Sequence, residues 1–421
     1  MNKFIYSSLA ATLMSAFVTT HAQNADKTPD IKYRRSSLHT ILLEADNFPN
    51  KEVVIQAYNN SPFPDKYNDH NIGIKSFNPK NYGATAQNAA DADMEISETQ
   101  AAIDRFIVDQ KIANKLVAKW FNRKADGSFD MQLVGERGTY NASDMEANIA
   151  KGSARGTSSL ADAGGELIGN TFVVFSKMTF VSNEVVAAGV RDASKLAATK
   201  ISNSMLQQSA MKAADATYEK TKEGYSVWTT SYLYKLRWND SIANVFYNNL
   251  WFDKSAVNPA KKEAFDKTNL FSLEFLGQEK ASSLVTFSLK EKRTENQIIA
   301  LSTVRNVDAV YAKLQKKYDV FKPKVPLYTG YPITAKIGMK EGLEGGEKFE
   351  VLEQVVDPKT GLTKYESKGT IKVDKDLLWD NRFNAGAEPS ADADKTKPVL
   401  DRTTFNGGKK FYSGMLIRQL K

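Results

Sequence analysis

Residues 298–337 read IIALSTVRNVDAVYAKLQKKYDVFKPKVPLYTGYPITAKI, and a change of texture inside this stretch decides the fold. Ile299, Val304, Val307, Val310, Tyr311 and Leu314 recur at helical spacing, which predicts a helix over 298–318 followed by an extended piece from Asp319 to Lys324. From Pro326 onward the apolar runs are short and punctuated by Gly, Pro and Asp. Strands are expected at 333–337, 348–353, 363–366, 369–373 and 412–420, and Asp357-Pro358-Lys359-Thr360-Gly361 fits a hairpin connection. Such spacing predicts a small closed β domain over 324–421, carrying a flexible Gly/Ala/Asp-rich loop from Asn384 to Pro398.

Working back from this switch, Thr171 to Val181 and Tyr225 to Trp238 are rich in Val, Thr, Phe, Tyr and Trp and read as strands, with a further one at Ser283 to Leu289. Between the first two lies an Ala-rich helical insertion near 184–223. Its apolar stripe of Val186, Val190, Leu196, Ile201 and Met205 fits one long helix or two shorter ones. Leu38 to Leu43 and Val53 to Ala57 suggest a small strand-rich opening, and Ser61 to Gly83 reads as loop. An amphipathic helix is expected from Ser97 to about Phe121, through Ile103, Phe106, Ile107, Ile112, Leu116, Val117 and Trp120. Phe129, Met131, Leu133 and Val134 look like a strand. Tyr140 to Asp144 resembles a helix start ahead of a Gly/Ser-rich loop from Gly152 to Ser159, and a helix near Leu160 to Leu167 leads to a tight turn at Gly164 to Gly169. The expectation is an α+β chain: a mixed N-terminal α/β region over 23–323, open to division into two subdomains, then a C-terminal β-barrel-like domain.

At the N-terminus Lys3 precedes an apolar run from Phe4 to Val18, and Thr20-His21-Ala22 places small residues where a signal peptidase cuts. Residues 1–22 therefore read as a signal peptide, cleaved between Ala22 and Gln23. The run is short for a membrane anchor and is interrupted by Ser7, Ser8, Thr12 and Ser15. Removing it leaves His39 and His70 as the chain's histidines and lowers the formal charge from +8 to +7, since only Lys3 is lost. The expected location is periplasm, outer-membrane periphery or cell exterior, with no transmembrane span in the mature chain.

The chemistry-bearing inventory is thin. The 421 residues include no cysteine, which excludes disulfides, thiolate nucleophiles and Cys-ligated metal sites. No Gly-x-Ser-x-Gly elbow, Walker loop or His-Glu-x-x-His pair is present. Asp65, Asp69 and His70 are of metal-ligating type, but as a loop cluster they read as turn residues, and no cofactor is expected. Trp379-Asp380-Asn381-Arg382 reads as a turn held by Asp and Arg. Lys313, Lys316, Lys317, Lys322 and Lys324 read as a solvated face, with no aromatic–basic interleaving that would point to nucleic acid. Trp228, Tyr232, Tyr234 and Trp238 alternate onto one side of a strand. They form either a binding surface on which glycans stack or the wall of a core on which the 184–223 helices lie.

Ile333 to Gly338, then Lys340 to Leu343 and Gly346-Glu347-Lys348-Phe349-Glu350-Val351, resemble the small β domain that ends envelope assembly factors such as flagellar assembly protein T. There a strand leads into a G-x-x-x-G-x-x-x-G-[DE]-x-[FV]-x-V turn and strand. The chain as a whole resembles exported proteins of Gram-negative commensal bacteria. The strand–helix–strand order over 171–324 is similar to the α/β domain of the curli secretion channel, without that family's lipidated cysteine, which argues against an anchored pore. The export signal, the empty catalytic inventory and the tail that resembles assembly factors together point to a non-catalytic envelope or surface protein with a binding or assembly role, its partners envelope proteins or glycans. The alternative is a secreted hydrolase that uses carboxylates alone on glycan or peptidoglycan.

Overall fold

The computed structural model describes residues 33–83, 92–140, 164–286, 294–356, 363–383 and 400–420. The signal segment with Ala22 and Gln23, the expected helix start at 141–144, the Gly/Ser-rich loop, the 357–361 hairpin connection and the 384–398 loop lie outside them. The protein is α+β: a mixed sheet covered by helices, and a closed six-stranded antiparallel barrel.

The sheet contains β1 (Ser37–Leu43), β2 (Asn68–Asp69), β3 (Ser76–Phe77), β4 (Thr171–Ser182), β5 (Gly224–Leu236) and β6 (Leu273–Thr286) in the order β2-β1-β4-β5-β6, with β3 also pairing with β1. β1 runs parallel to β4, so the intervening chain must cross over, and it brings helices with it. These are α1 (Lys51–Asn59), α2 (Ala92–Asp109), α3 (Ile112–Trp120), α4 (Gln132–Tyr140) and α5 (Gly164–Gly169). β4, β5 and β6 form an antiparallel meander. Between β4 and β5 stand α6 (Asn183–Ala198) and α7 (Ser204–Thr221). Between β5 and β6 lie α8 (Asp240–Val245) and α9 (Pro259–Lys267), and α10 (Glu295–Lys317) follows β6.

Both faces of the sheet are buried, which explains why β4 begins with the continuous apolar run Phe172-Val173-Val174-Phe175. Val173 and Phe175 point into one core with Ile41, Ile103, Phe106, Leu116, Trp120, Tyr232 and Tyr234. Phe172 and Val174 point into the other with Leu38, Leu42, Val54, Tyr58, Ile299, Val310, Tyr311 and Phe321. Helix α10 starts at a capping box: Gln297 N donates to Thr294 Oγ1 (3.3 Å) and Thr294 N donates to Gln297 Oε1 (2.8 Å). The buried Ser302 and Thr303 hydroxyls are satisfied within the helix, Ser302 Oγ donating to Ile298 O at 2.7 Å and Thr303 Oγ1 to Ile299 O at 2.7 Å.

The barrel comprises β7 (Val325–Gly330), β8 (Ile333–Ala335), β9 (Lys348–Val356), β10 (Thr363–Val373), β11 (Thr403–Asn406) and β12 (Leu416–Gln419), closing in the order β10-β11-β8-β7-β12-β9. Leu327, Ile333, Phe349, Val351, Ile371, Phe405 and Ile417 fill it. Closure needs a bare backbone at Gly330, where a Cβ would lie 2.3 Å from the Phe411 carbonyl oxygen. The barrel also packs on the rest of the chain, with Tyr33 buried beside Leu352 and Leu416.

Several local expectations are corrected. Val53 to Ala57 belongs to α1 because Val54 and Tyr58, four apart, are buried by the second core. Phe129 to Val134 is no strand: Asp130 Oδ1 accepts from Gln132 N at 3.0 Å and opens α4. The helix predicted from Ser97 to Phe121 is two helices, broken at Lys111, whose φ is 48°. Gly164 to Gly169 is a short helix rather than a turn. β6 begins at Leu273, well before Ser283, and bulges at Gly277, where a Cβ would lie 2.2 Å from the Tyr318 hydroxyl. The two strands expected at 363–366 and 369–373 are one, with a register shift between Ser367 and Gly369. β7 and β11 were not foreseen.

Candidate interaction hairpin and buried polar clusters

The aromatic residues of β5 divide. Tyr232 and Tyr234 are each 1% exposed, and Tyr234 Oη donates to Asp104 Oδ1 at 2.8 Å. This corrects the binding-surface reading for that pair, which has no face to offer a ligand. Trp238 lies beyond the end of β5 and is half-buried among Phe121, Phe246 and Phe271, at ring distances of 5.7, 5.8 and 6.3 Å. Trp228 is half-buried outside that core. The helices over Tyr232 and Tyr234 are α2 and α3, not the 184–223 segment.

Asp65, Asp69 and His70 do not converge on a metal. Asp65 pairs with Lys66 at 2.7 Å, Asp69 Oδ1 accepts from Asn71 N at 3.0 Å, and no group of three or more His, Asp or Glu suited to a metal occurs among the described residues. His70 is instead part of a buried cluster. Its Nε2 donates to Leu116 O (3.0 Å), so its Nδ1 is free to accept from Arg137 (2.8 Å), whose guanidinium also donates to Ser37 Oγ and Asp69 O, both at 2.9 Å. Trp120 supports both, its ring 5.1 Å from the imidazole and 4.6 Å from the guanidinium carbon, while its Nε1 donates to Thr171 Oγ1 at 2.8 Å. Burial brings the Arg137 pKa down to about 10, leaving it charged at neutral pH. Burial first, and then the Arg137 charge, hold His70 neutral. On β1, His39 is lowered to about 3 by burial and by Lys75. Arg137 carried no signal in the sequence, because its partners come from β1, the β2 region and α3.

A second buried charge sits where α10 meets the barrel. Asp308 is 9% exposed, its Oδ1 3.7 Å from Lys340 Nζ, and burial pushes its carboxyl up to about 6 while Lys340 opposes the shift. Between about pH 4 and pH 6 the unfolded chain ionises first and the folded chain holds the extra proton, so this group's contribution to stability falls as pH rises through that window. Asp308→Asn lacks the titration. Its stability relative to the wild type is expected to rise by about 2–3 kcal/mol between pH 4 and pH 7 in urea titrations, and an unchanged difference would refute the assignment.

The hairpin α6–α7 has the opposite character. Its buried residues are Asn183, Ala187, Ala198 and Ala214 alone. Small and charged residues face the partner helix: Lys195 pairs with Asp215 at 2.6 Å, and Arg191 lies over the Tyr218 ring at 4.4 Å. At 100° per residue, Val185, Val186, Gly189, Val190, Ala193, Leu196 and Ala197 share the outward side of α6. The large side chains of this face and of the tip (Val185, Val186, Val190, Leu196, Met205 and Leu206) are 49–80% exposed. The apolar stripe read from the sequence thus exists but points to solvent, which reverses the usual amphipathic arrangement. Asn183 fixes the base, donating to Glu223 O (3.1 Å) and accepting from Ser226 Oγ (2.8 Å); Asn203 caps α7 at the tip through Met205 N and Leu206 N.

A concavity of about 540 Å³ is lined by Asn81, Tyr82, Gly83, Arg105 and Asp109. Among the described residues its wall supplies one carboxylate, Asp109, which accepts from Tyr82 Oη (3.2 Å) and Gln110 Nε2 (2.7 Å), where glycoside hydrolysis calls for a facing pair. No described helix is long and apolar enough to cross a membrane. No known protein family and no curated protein matches the chain.

Proposed function

We propose that this is a non-catalytic exported protein of the cell envelope or surface with a binding or assembly role, and that the α6–α7 hairpin is the element it binds with. The observation that carries the reading is the outward apolar face. Residues that would stabilise a core are held in water on a capped, anchored hairpin, an arrangement that lowers stability unless another surface covers it. Export rests on the Phe4 to Val18 run and the Thr20-His21-Ala22 site, and the resemblance of the C-terminal part to envelope assembly factors supports an assembly role. Envelope proteins or glycans are the partner classes that follow from that location.

A photo-crosslinking side chain at Val190 or Leu206 is expected to give adducts in whole cells, while one at Lys267, exposed on α9, is expected to give none. Equal labelling from all three positions, or none from the hairpin, would overturn the binding role. The intact mass in the same preparation should correspond to a chain starting at Gln23; a mass that includes residues 1–22 would overturn export by cleavage.

A further inference from the structure

We infer that the tip of the α6–α7 hairpin docks on an anionic lipid surface, an inference that rests on the hairpin being the binding element. From Ala193 to Ala214 the charged residues are Lys195, Lys200 and Lys212, with no acid among them; the nearest are Asp192 and Asp215. Lys195 is neutralised in part by Asp215, whereas Lys200 and Lys212 form no ion pair with a described residue. Around these lysines Leu196, Met205 and Leu206 are 60–80% exposed, and Ile201 is half-buried in the turn. The tip therefore offers exposed aliphatic side chains with cations on both helices behind them. That combination matches a bilayer interface, where those side chains enter the acyl boundary and the lysine stems let their ammonium groups reach lipid phosphates.

The charge pattern decides between this occupant and a second copy of the chain. Two identical tips would bring Lys200 and Lys212 of each copy together, while the nearest acid on α7, Asp215, is already paired with Lys195. An anionic headgroup layer complements the same lysines. Reach is sufficient as well: helices of 16 and 18 residues extend about 24–27 Å, enough to carry the tip clear of the sheet at its base.

The test is co-sedimentation of the purified full chain with vesicles of phosphatidylcholine plus phosphatidylglycerol, against phosphatidylcholine alone. Binding is expected to the anionic vesicles and to weaken with added salt. Lys200→Gln with Lys212→Gln should lower the affinity roughly thirtyfold, and Met205→Gln with Leu206→Gln should lower it without changing the thermal unfolding midpoint, since all four side chains are exposed. Comparison within one chain length cancels any contribution of the Phe4 to Val18 run. Equal binding to neutral vesicles, or variants that bind like the wild type, would overturn the inference. Should vesicles not bind while sedimentation reveals a dimer that the Met205 and Leu206 variants abolish, the face belongs to a second copy and the lipid assignment falls, with the hairpin's binding role intact. If neither vesicles nor self-association respond to the hairpin variants and the hairpin crosslinks are also absent, both readings fall.

Discussion

Acidification from about pH 6.5 to about pH 4.5 is expected to remove ~2 kcal/mol of folding stability through His39, with His70 adding to the loss in the same direction. Both imidazoles are buried, at 1% and 0% exposure, and both are held neutral: His39 at about 3 by burial and Lys75, His70 well below the usual imidazole range by burial and Arg137. Below about pH 6.5 the unfolded chain takes up two protons that the folded chain refuses, so the stability these groups contribute is complete above that pH and is lost as the pH falls toward the folded values. His39 supplies a slope of about 1.4 kcal/mol per pH unit, and His70 a slope of the same sign. Asp308 works against them over part of the range, because its raised pKa favours the folded state as acid is added. The measurement is a set of urea unfolding curves across the window for the wild type and His39→Leu. The variant should lose the His39 slope of about 1.4 kcal/mol per pH unit, and identical slopes would show that His39 does not stay neutral in the fold.

Trp120→Ala is expected to cost about 5 kcal/mol, at the upper end for deletion of a buried aromatic. The side chain is fully buried, and its loss does more than open a cavity. It strands the Thr171 hydroxyl and removes the ring on which the Arg137 guanidinium and the His70 imidazole rest. Trp120→Phe keeps most of the volume and loses the indole hydrogen bond, for about 1–2 kcal/mol. A denaturation series in which Trp120→Ala costs less than Trp120→Phe would contradict this account.

The barrel was legible because its signals are local. Gly346 to Val351 announces a turn and strand, and the helical spacing through Leu314 stops before Pro326, so the boundary between helix and strands could be read from adjacent residues. β4 and β5 were legible for the same reason, since a run of β-branched and aromatic residues specifies strand whatever covers it. The errors fell where a distant group decides. Val53 to Ala57 carries β-branched residues, yet Val54 and Tyr58 are claimed by a core that α10 completes.

By itself, then, the sequence determined the type and order of most elements, the helical character of 184–223 with its apolar stripe, and the lack of any cysteine chemistry. The tertiary structure decided which surfaces meet. Residues Ser37, His70, Leu116, Trp120, Arg137 and Thr171 become one cluster only when β1 and β4 pair in parallel and the crossover helices return over them. The hairpin stripe faces water because Ala187, Ala198 and Ala214 allow the two helices to approach on their opposite sides. Periodicity reports which side chains share a face, because it follows from the geometry of one element. Whether that face meets a core or solvent depends on what the rest of the chain places against it, and no spacing within the element encodes that.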